Sequence, residues 1–199
     1  MIRDRFFSLV PTEDARNFSI LTLMKITIIG PSGSGKSTLA RKISAQFSIL
    51  RIEIDRIWFK YDGHMNLQGN NQEKKELVSQ KIQQDIEEFL AKHNDWVIDG
   101  TYSKLQPIIA NQADTVVLIR RSLLARIVSH LSRILKGNDR HPEVTRMQDV
   151  MFTKTLIQRW WKRENTKLDE FVVKYKKKLV VLISFRDIDA YFNSLKDVA

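Results

Sequence analysis

The residues with the clearest chemistry in this chain are Gly30-Pro31-Ser32-Gly33-Ser34-Gly35-Lys36-Ser37, followed by Thr38. They fit G-x-x-x-x-G-K-[ST] at every fixed position, the pattern of a phosphate-binding P-loop, or Walker A motif. Glycines at 30, 33 and 35 allow backbone angles closed to other residues, so successive N–H groups can point inward at an anion. Lys36 adds a point charge within reach of the β- and γ-phosphates, and the Ser37 hydroxyl is a hard ligand suited to Mg2+. Gly30 to Thr38 therefore reads as a binding loop for ATP with Mg2+.

Two aspartates belong to the same chemistry. Asp55 follows Glu53-Ile54, and Asp99 closes Trp96-Val97-Ile98, with Gly100 directly after it. An apolar strand that ends in Asp opposite a P-loop is where a carboxylate would hold Mg2+, directly or through water. Ser37 and Asp99 thus form the expected metal pair. Gly100 would let the chain turn close to the nucleotide. The structural alternative for both aspartates is a turn or helix cap, and for Arg120, after the fourth strand, a cap on strand carbonyls.

Such residues need a frame, and the flanking patterns supply one. Lys25-Ile26-Thr27-Ile28-Ile29 is short and β-branched, which predicts a buried strand before the loop. Leu39, Ala40, Ile43 and Phe47 recur at helical spacing after it, so the loop opens a helix whose positive end also favours phosphate. Strands are predicted at 25–29, 50–54, 96–98, 115–119 and 179–183. Helices are predicted at 36–47, 71–93, 103–112, 121–135, 147–176 and 187–196. The later strands, Thr115-Val116-Val117-Leu118-Ile119 and Leu179-Val180-Val181-Leu182-Ile183, are apolar on both faces, as in a parallel sheet covered by helices. The alternation predicts a doubly wound α/β sheet with ligands at the carboxyl ends of its strands.

Composition narrows the class. A chain of 199 residues can bury one sizeable core, and the absence of cysteine excludes disulfides and Cys-rich zinc sites. No apolar run approaches the length of a membrane span, and Pro11-Thr12-Glu13-Asp14-Ala15-Arg16 interrupts any signal-peptide core, so a cytoplasmic location with no membrane role is expected. The net charge of +10 is uneven: residues 120–178 hold 16 Lys+Arg against 6 Asp+Glu. One part of that surplus surrounds the break Gly137-Asn138-Asp139-Arg140-His141-Pro142. The other lies along Lys154–Lys178, where a nucleic-acid surface and a solvated helix face, with Trp160, Trp161, Leu168 and Phe171 packed inward, are the alternatives.

In order, the P-loop, the Asp after the second strand, "WVIDGTYS", "ADTVVLIR" and the arginine-flanked break resemble the adenylate-kinase-like P-loop kinases, and among these the bacterial topology modulation protein group. The likeness runs from Met24 to Leu195. It implies a P-loop NTPase fold, a five-stranded parallel sheet with helices on both faces and a short lid, and a substrate-side insert between strands two and three. It also implies that Asp55 acts on an acceptor hydroxyl and that Arg126, Arg133 and Arg140 lie on or beside the lid, joining Lys36 as catalytic residues. His130 stands where adenylate kinases often carry a second arginine, the break is shorter than their lid, and Gly-Thr-Tyr-Ser after Asp99 lacks their Phe-Pro-Arg. These departures argue against AMP as the acceptor. Residues 1–23, before Met24, read as an N-terminal extension to a domain spanning 24–199.

Three functions fit. The favoured one is an ATP-dependent phosphotransferase for a small acceptor such as a nucleoside, nucleotide or sugar-like acid, because a lid that excludes water is what transfer requires over hydrolysis. An ATP-dependent nucleic-acid-associated regulator of DNA topology, without transferase activity, is the alternative. The third is a nucleotide-binding module serving a protein partner. Trp58-Phe59-Lys60-Tyr61-Asp62-Gly63-His64 offers rings that would either stack an acceptor or close the core.

Overall fold

The computed structural model describes residues 24–61, 72–102, 104–136 and 171–198. Five strands, β1 (Lys25–Ile29), β2 (Leu50–Glu53), β3 (Trp96–Asp99), β4 (Thr115–Ile119) and β5 (Leu179–Leu182), form one sheet in the order β2-β3-β1-β4-β5. Every pairing is parallel, with Ile28 level with Asp99, Glu53 level with Asp99, and Ile29 level with Leu118. This is the α/β, five-stranded parallel architecture of the P-loop kinases.

The strand residues alternate between two cores, as a period of two requires. Ile26, Ile28, Val97, Val117 and Ile119 meet Leu39, Ala40 and Ile43 of α1 (Lys36–Phe47) and Ile188 of α6 (Phe185–Val198). Ile29, Ile52, Ile98, Val116 and Leu118 meet the opposite layer, α3 (Gln72–Lys92) and α4 (Gln106–Gln112). Helix α3 contributes Val78, Ile82, Ile86 and Phe89, a stripe at helical spacing. Ile28, Leu39 and Ile98 are wholly inaccessible, and burying each stabilises the fold by roughly 1.5–3 kcal/mol.

Several boundaries differ from the sequence expectation. The second strand ends at Glu53, and Ile54 already opens α2 (Ile54–Lys60), which puts Asp55 in the first turn of a helix instead of at a strand end. The cause is packing: Ile54 is buried in the core, and the chain turns to seat it against Gly100. Helix α4 starts at Gln106, not 103, with Pro107 in its first turn. Helix α6 starts two residues early because its N-terminus is capped. The Asp187 carboxylate accepts the N–H groups of Ile183 and Ser184, and the Ser184 hydroxyl accepts the Asp187 N–H. Of the long helix expected at 147–176, residues 171–174 are helical and 147–170 lie outside the described residues, as do 1–23 and the break at 137–142.

Candidate active site

The P-loop leaves the carboxyl end of β1 through Gly30, whose φ is 142°. A Cβ there would stand 2.4 Å from the Ile119 carbonyl oxygen, so the end of β4 leaves room for glycine alone. The Thr101 hydroxyl fastens the same residue, donating to the Gly30 carbonyl at 2.9 Å and accepting its N–H at 3.2 Å. At the other end of the loop, Gly35 is the N-cap of α1 in the left-handed region (φ 106°). No side chain caps that helix and its first turn carries no acid, so the positive end of α1 faces the loop uncompensated. Lys36 Nζ lies over the loop and donates to the Pro31 carbonyl at 3.1 Å. Ser34 Oγ is buried with no hydrogen-bond partner.

Beside the loop, at the ends of β2 and β3, lies a corner dense in charge. Asp99 is 1% exposed, and Arg51 holds it side-on, Nε to Oδ1 at 2.8 Å and Nη2 to Oδ2 at 3.2 Å. The same Nη2 pairs with Glu53 at 3.0 Å. Ser37, in the first turn of α1, lies close enough to Asp99 to favour its charged form. Burial pushes the Asp99 carboxyl above its ordinary value, with the Glu53 charge adding to the push and Arg51 and Ser37 opposing it. Burial likewise disfavours the Arg51 charge, but Asp99 and Glu53 outweigh it, so the guanidinium is held above its ordinary value.

The other side of the loop is covered by α5 (Leu123–Lys136). Arg126 Nε donates to the Ser32 carbonyl at 2.9 Å. Arg121 donates to the carbonyls of Gly33 and Ala125 and to the Ser129 hydroxyl, and its guanidinium lies 3.7 Å from the centre of the Phe185 ring. Burial lowers the pKa of both arginines from the ordinary value. The His130 ring is buried against the loop, so close that a Cβ on Gly33 (φ 76°) would meet it at 2.9 Å.

Of the residues named from sequence, the structure brings Lys36, Ser37, Asp99 and Arg126 around one end of the sheet. Asp55 is exposed, one residue past buried Ile54. Arg133 lies in α5 by its backbone, while its side chain and all of Arg140 fall outside the described residues, as do the side chains of Trp58, Phe59 and Lys60. Gly100 has φ 138°, and a Cβ there would meet Ile54 at 2.8 Å. The close approach that the structure shows at Gly100 is to Ile54. Arg51, Thr101, Arg121 and His130 were not foreseen. For Arg51 a signal existed: Arg51 and Glu53 sit two apart in an otherwise apolar strand, hence on one face of a buried sheet.

The side chains present fit ATP with Mg2+. Ser34 Oγ is a buried polar atom with no hydrogen-bond partner among the described residues, and the Ser37 hydroxyl and Asp99 carboxylate are hard oxygen donors. Among the described residues, no group of three or more His, Cys, Asp or Glu is placed to hold a metal. A divalent ion here would depend on phosphate oxygens and water, which is the habit of Mg2+.

Known proteins agree with this frame. A shikimate kinase from Bacteroides thetaiotaomicron superposes with a TM-score of 0.50 at 16% identity, over 88% of this chain and 97% of that one. A shikimate kinase from Acinetobacter baumannii, solved in complex with shikimate, superposes with a TM-score of 0.53 at 13% identity, over 89% and 93% of the two chains. At these identities the likeness is one of fold. No curated protein matches the sequence. The family model described as AAA domain does match, over residues 26–131, which takes in the P-loop, the Asp99 corner, Arg121 and Arg126. Since that match covers more than half of the 199 residues, the chain belongs to the AAA domain family.

Proposed function

We propose that this chain is an ATP-dependent phosphotransferase, of the adenylate-kinase-like kind and akin to the topology modulation protein group, acting on a small acceptor. The observation that carries the reading is the buried Asp99 carboxylate at the end of β3, beside the opening of α1 where Ser37 favours its charge, with Arg126 seated on the opposite wall of the same loop. In this reading the loop amides and Lys36 bind the β- and γ-phosphates. Mg2+, when bound, neutralises phosphate charge, with Ser37 and Asp99 as the residues that would hold it. Arg126, together with Arg133 and Arg140, stabilises charge on the moving phosphoryl group, and Asp55 orients the acceptor hydroxyl and accepts its proton. The Acinetobacter baumannii structure is named as a complex with shikimate, and a small hydroxylated acid leads the acceptor classes here, ahead of nucleosides and nucleotides.

The experiment is a coupled assay of ADP release from ATP–Mg2+ against hydroxylated acids, nucleosides and nucleotides, with water alone as background. One class should raise release well above water, and Lys36→Ala should abolish it while keeping the wild-type circular dichroism. Failure of the wild-type protein to bind ATP in calorimetry would sink the reading, whatever the acceptor.

A further inference from the structure

Arg51 stands inside the corner that the reading above gives to Mg2+, and that reading does not use it. Its guanidinium touches both Asp99 oxygens, at 2.8 and 3.2 Å, and also Glu53 at 3.0 Å. Ser37 lies near the same Asp99 carboxylate and favours its charged form. The four residues come from three elements that the sheet order brings together: β2 supplies Arg51 and Glu53, β3 supplies Asp99, and α1 supplies Ser37. An arginine fork matches a carboxylate in two places at once, so little of Asp99 is left for a cation. The charge count points the same way. Two carboxylates and one guanidinium leave a single negative charge in a half-closed corner, whereas the carboxylates alone would carry two and would demand a divalent partner.

We propose that Arg51 is a positioning residue that acts as a resident cation: it occupies the Asp99 and Glu53 carboxylates, so that the nucleotide-free protein does not take up Mg2+ and Asp99 reaches the metal only through water once phosphate has brought it. Arg51 thereby couples metal arrival to ATP. The inference rests on the ATP–Mg2+ reading of the corner, and its test separates the two.

The test uses the full chain without nucleotide, titrated with Mn2+ and followed by the electron paramagnetic resonance signal of the free ion. Wild type should show no binding below the millimolar range, while Arg51→Met, which keeps the length of the side chain and loses its charge, should bind at least about tenfold more tightly. In chelator the melting temperature of Arg51→Met should fall by several degrees, and saturating Mn2+ or Mg2+ should restore it. The double variant Arg51→Met/Glu53→Gln returns the corner to one negative charge and should lose the acquired site. Should Arg51→Met fail to fold even with metal, Arg51→Gln decides, because it also removes the charge while its amide can still donate to a carboxylate oxygen; it should gain Mn2+ affinity as well. Wild-type affinity equal to that of the folding variant overturns the proposal. ATP titration of wild type with Mg2+ present is the separate arm: no binding there defeats the nucleotide reading, while the Mn2+ result still decides the role of Arg51.

Discussion

The P-loop has an arginine wall on each side, and the two walls are built oppositely. On the β2–β3 side, Arg51 faces two carboxylates and its charge is balanced within the protein. On the α5 side, Arg126 donates to a backbone carbonyl, Arg121 donates to two carbonyls and a hydroxyl and stacks on Phe185, and neither has a carboxylate in salt-bridge range among the described residues. Helix α5 is also turned unusually, with Arg126 and His130 toward the loop while Leu124, Val128 and Leu131 are exposed. The difference teaches what each charge is for. A guanidinium bound to neutral oxygens still has its full charge to offer an anion, and burial, which lowers its pKa, raises the gain from meeting one. A guanidinium between carboxylates has that charge already answered, and its effect falls on the fold and on cations.

The comparison breaks most visibly if the α5 arginine proves merely structural. Arg126→Ala should lower acceptor-dependent turnover by about 10³-fold while moving the melting temperature little, since it loses a surface-proximal hydrogen bond of about 1 kcal/mol. Steady-state kinetics beside differential scanning fluorimetry would show it, and equal damage to both would place Arg126 with Arg51.

Arg51→Met should do the reverse. Removing one partner of a buried pair strands the other charge, so a loss of about 3 kcal/mol in urea unfolding at neutral pH is expected. The loss should depend on pH, with a definite sign. Asp99 in the fold titrates above its ordinary 3.8, chiefly through burial. Its contribution to stability is therefore complete below that ordinary value and declines as pH rises through the folded value. Without Arg51 the carboxyl moves further up, so the deficit of the variant is largest at neutral pH and shrinks as the pH approaches 4. An equal deficit at both ends of that range would mean that lost packing, not charge, is responsible.

Asp55→Asn tests a residue that belongs to neither wall. Exposed on α2, it should leave stability and ATP affinity unchanged and reduce turnover with the true acceptor by about a hundredfold, read as kcat at saturating acceptor. Full turnover would reduce Asp55 to a helix-end acid. The smallest effect belongs to the surface pair Lys42–Asp189, at 3.0 Å with side chains 47% and 60% exposed. Lys42→Ala should cost under about 0.5 kcal/mol in the same urea series, setting the scale against which the Arg51 loss is judged.

How much was legible follows from how far apart the partners lie. The P-loop is a run of consecutive residues whose types dictate its backbone, and β1 and β4 are short β-branched runs, so their bounds agree with the pattern. The end of β2 was misplaced because Ile54 reads equally well as strand or core helix, and only Gly100, far along the chain, decides between them. The Arg51–Asp99 pair spans 48 residues and the Arg126–Ser32 bond spans 94. Neither separation leaves a local periodicity to detect.

The sequence by itself determined a P-loop between a buried strand and a helix, an alternating α/β order, and a carboxylate at the end of β3, because each depends on neighbours in the chain. Tertiary structure alone decided which charges meet. By inserting β3 between β2 and β1, the sheet sets Arg51 against Asp99 and brings Asp99 near Ser37. By folding α5 back over the loop, it brings Arg126 to Ser32 and the His130 ring to Gly33. Strand order is fixed by how whole apolar faces are buried together, a sum over the entire core that no single stretch of sequence displays.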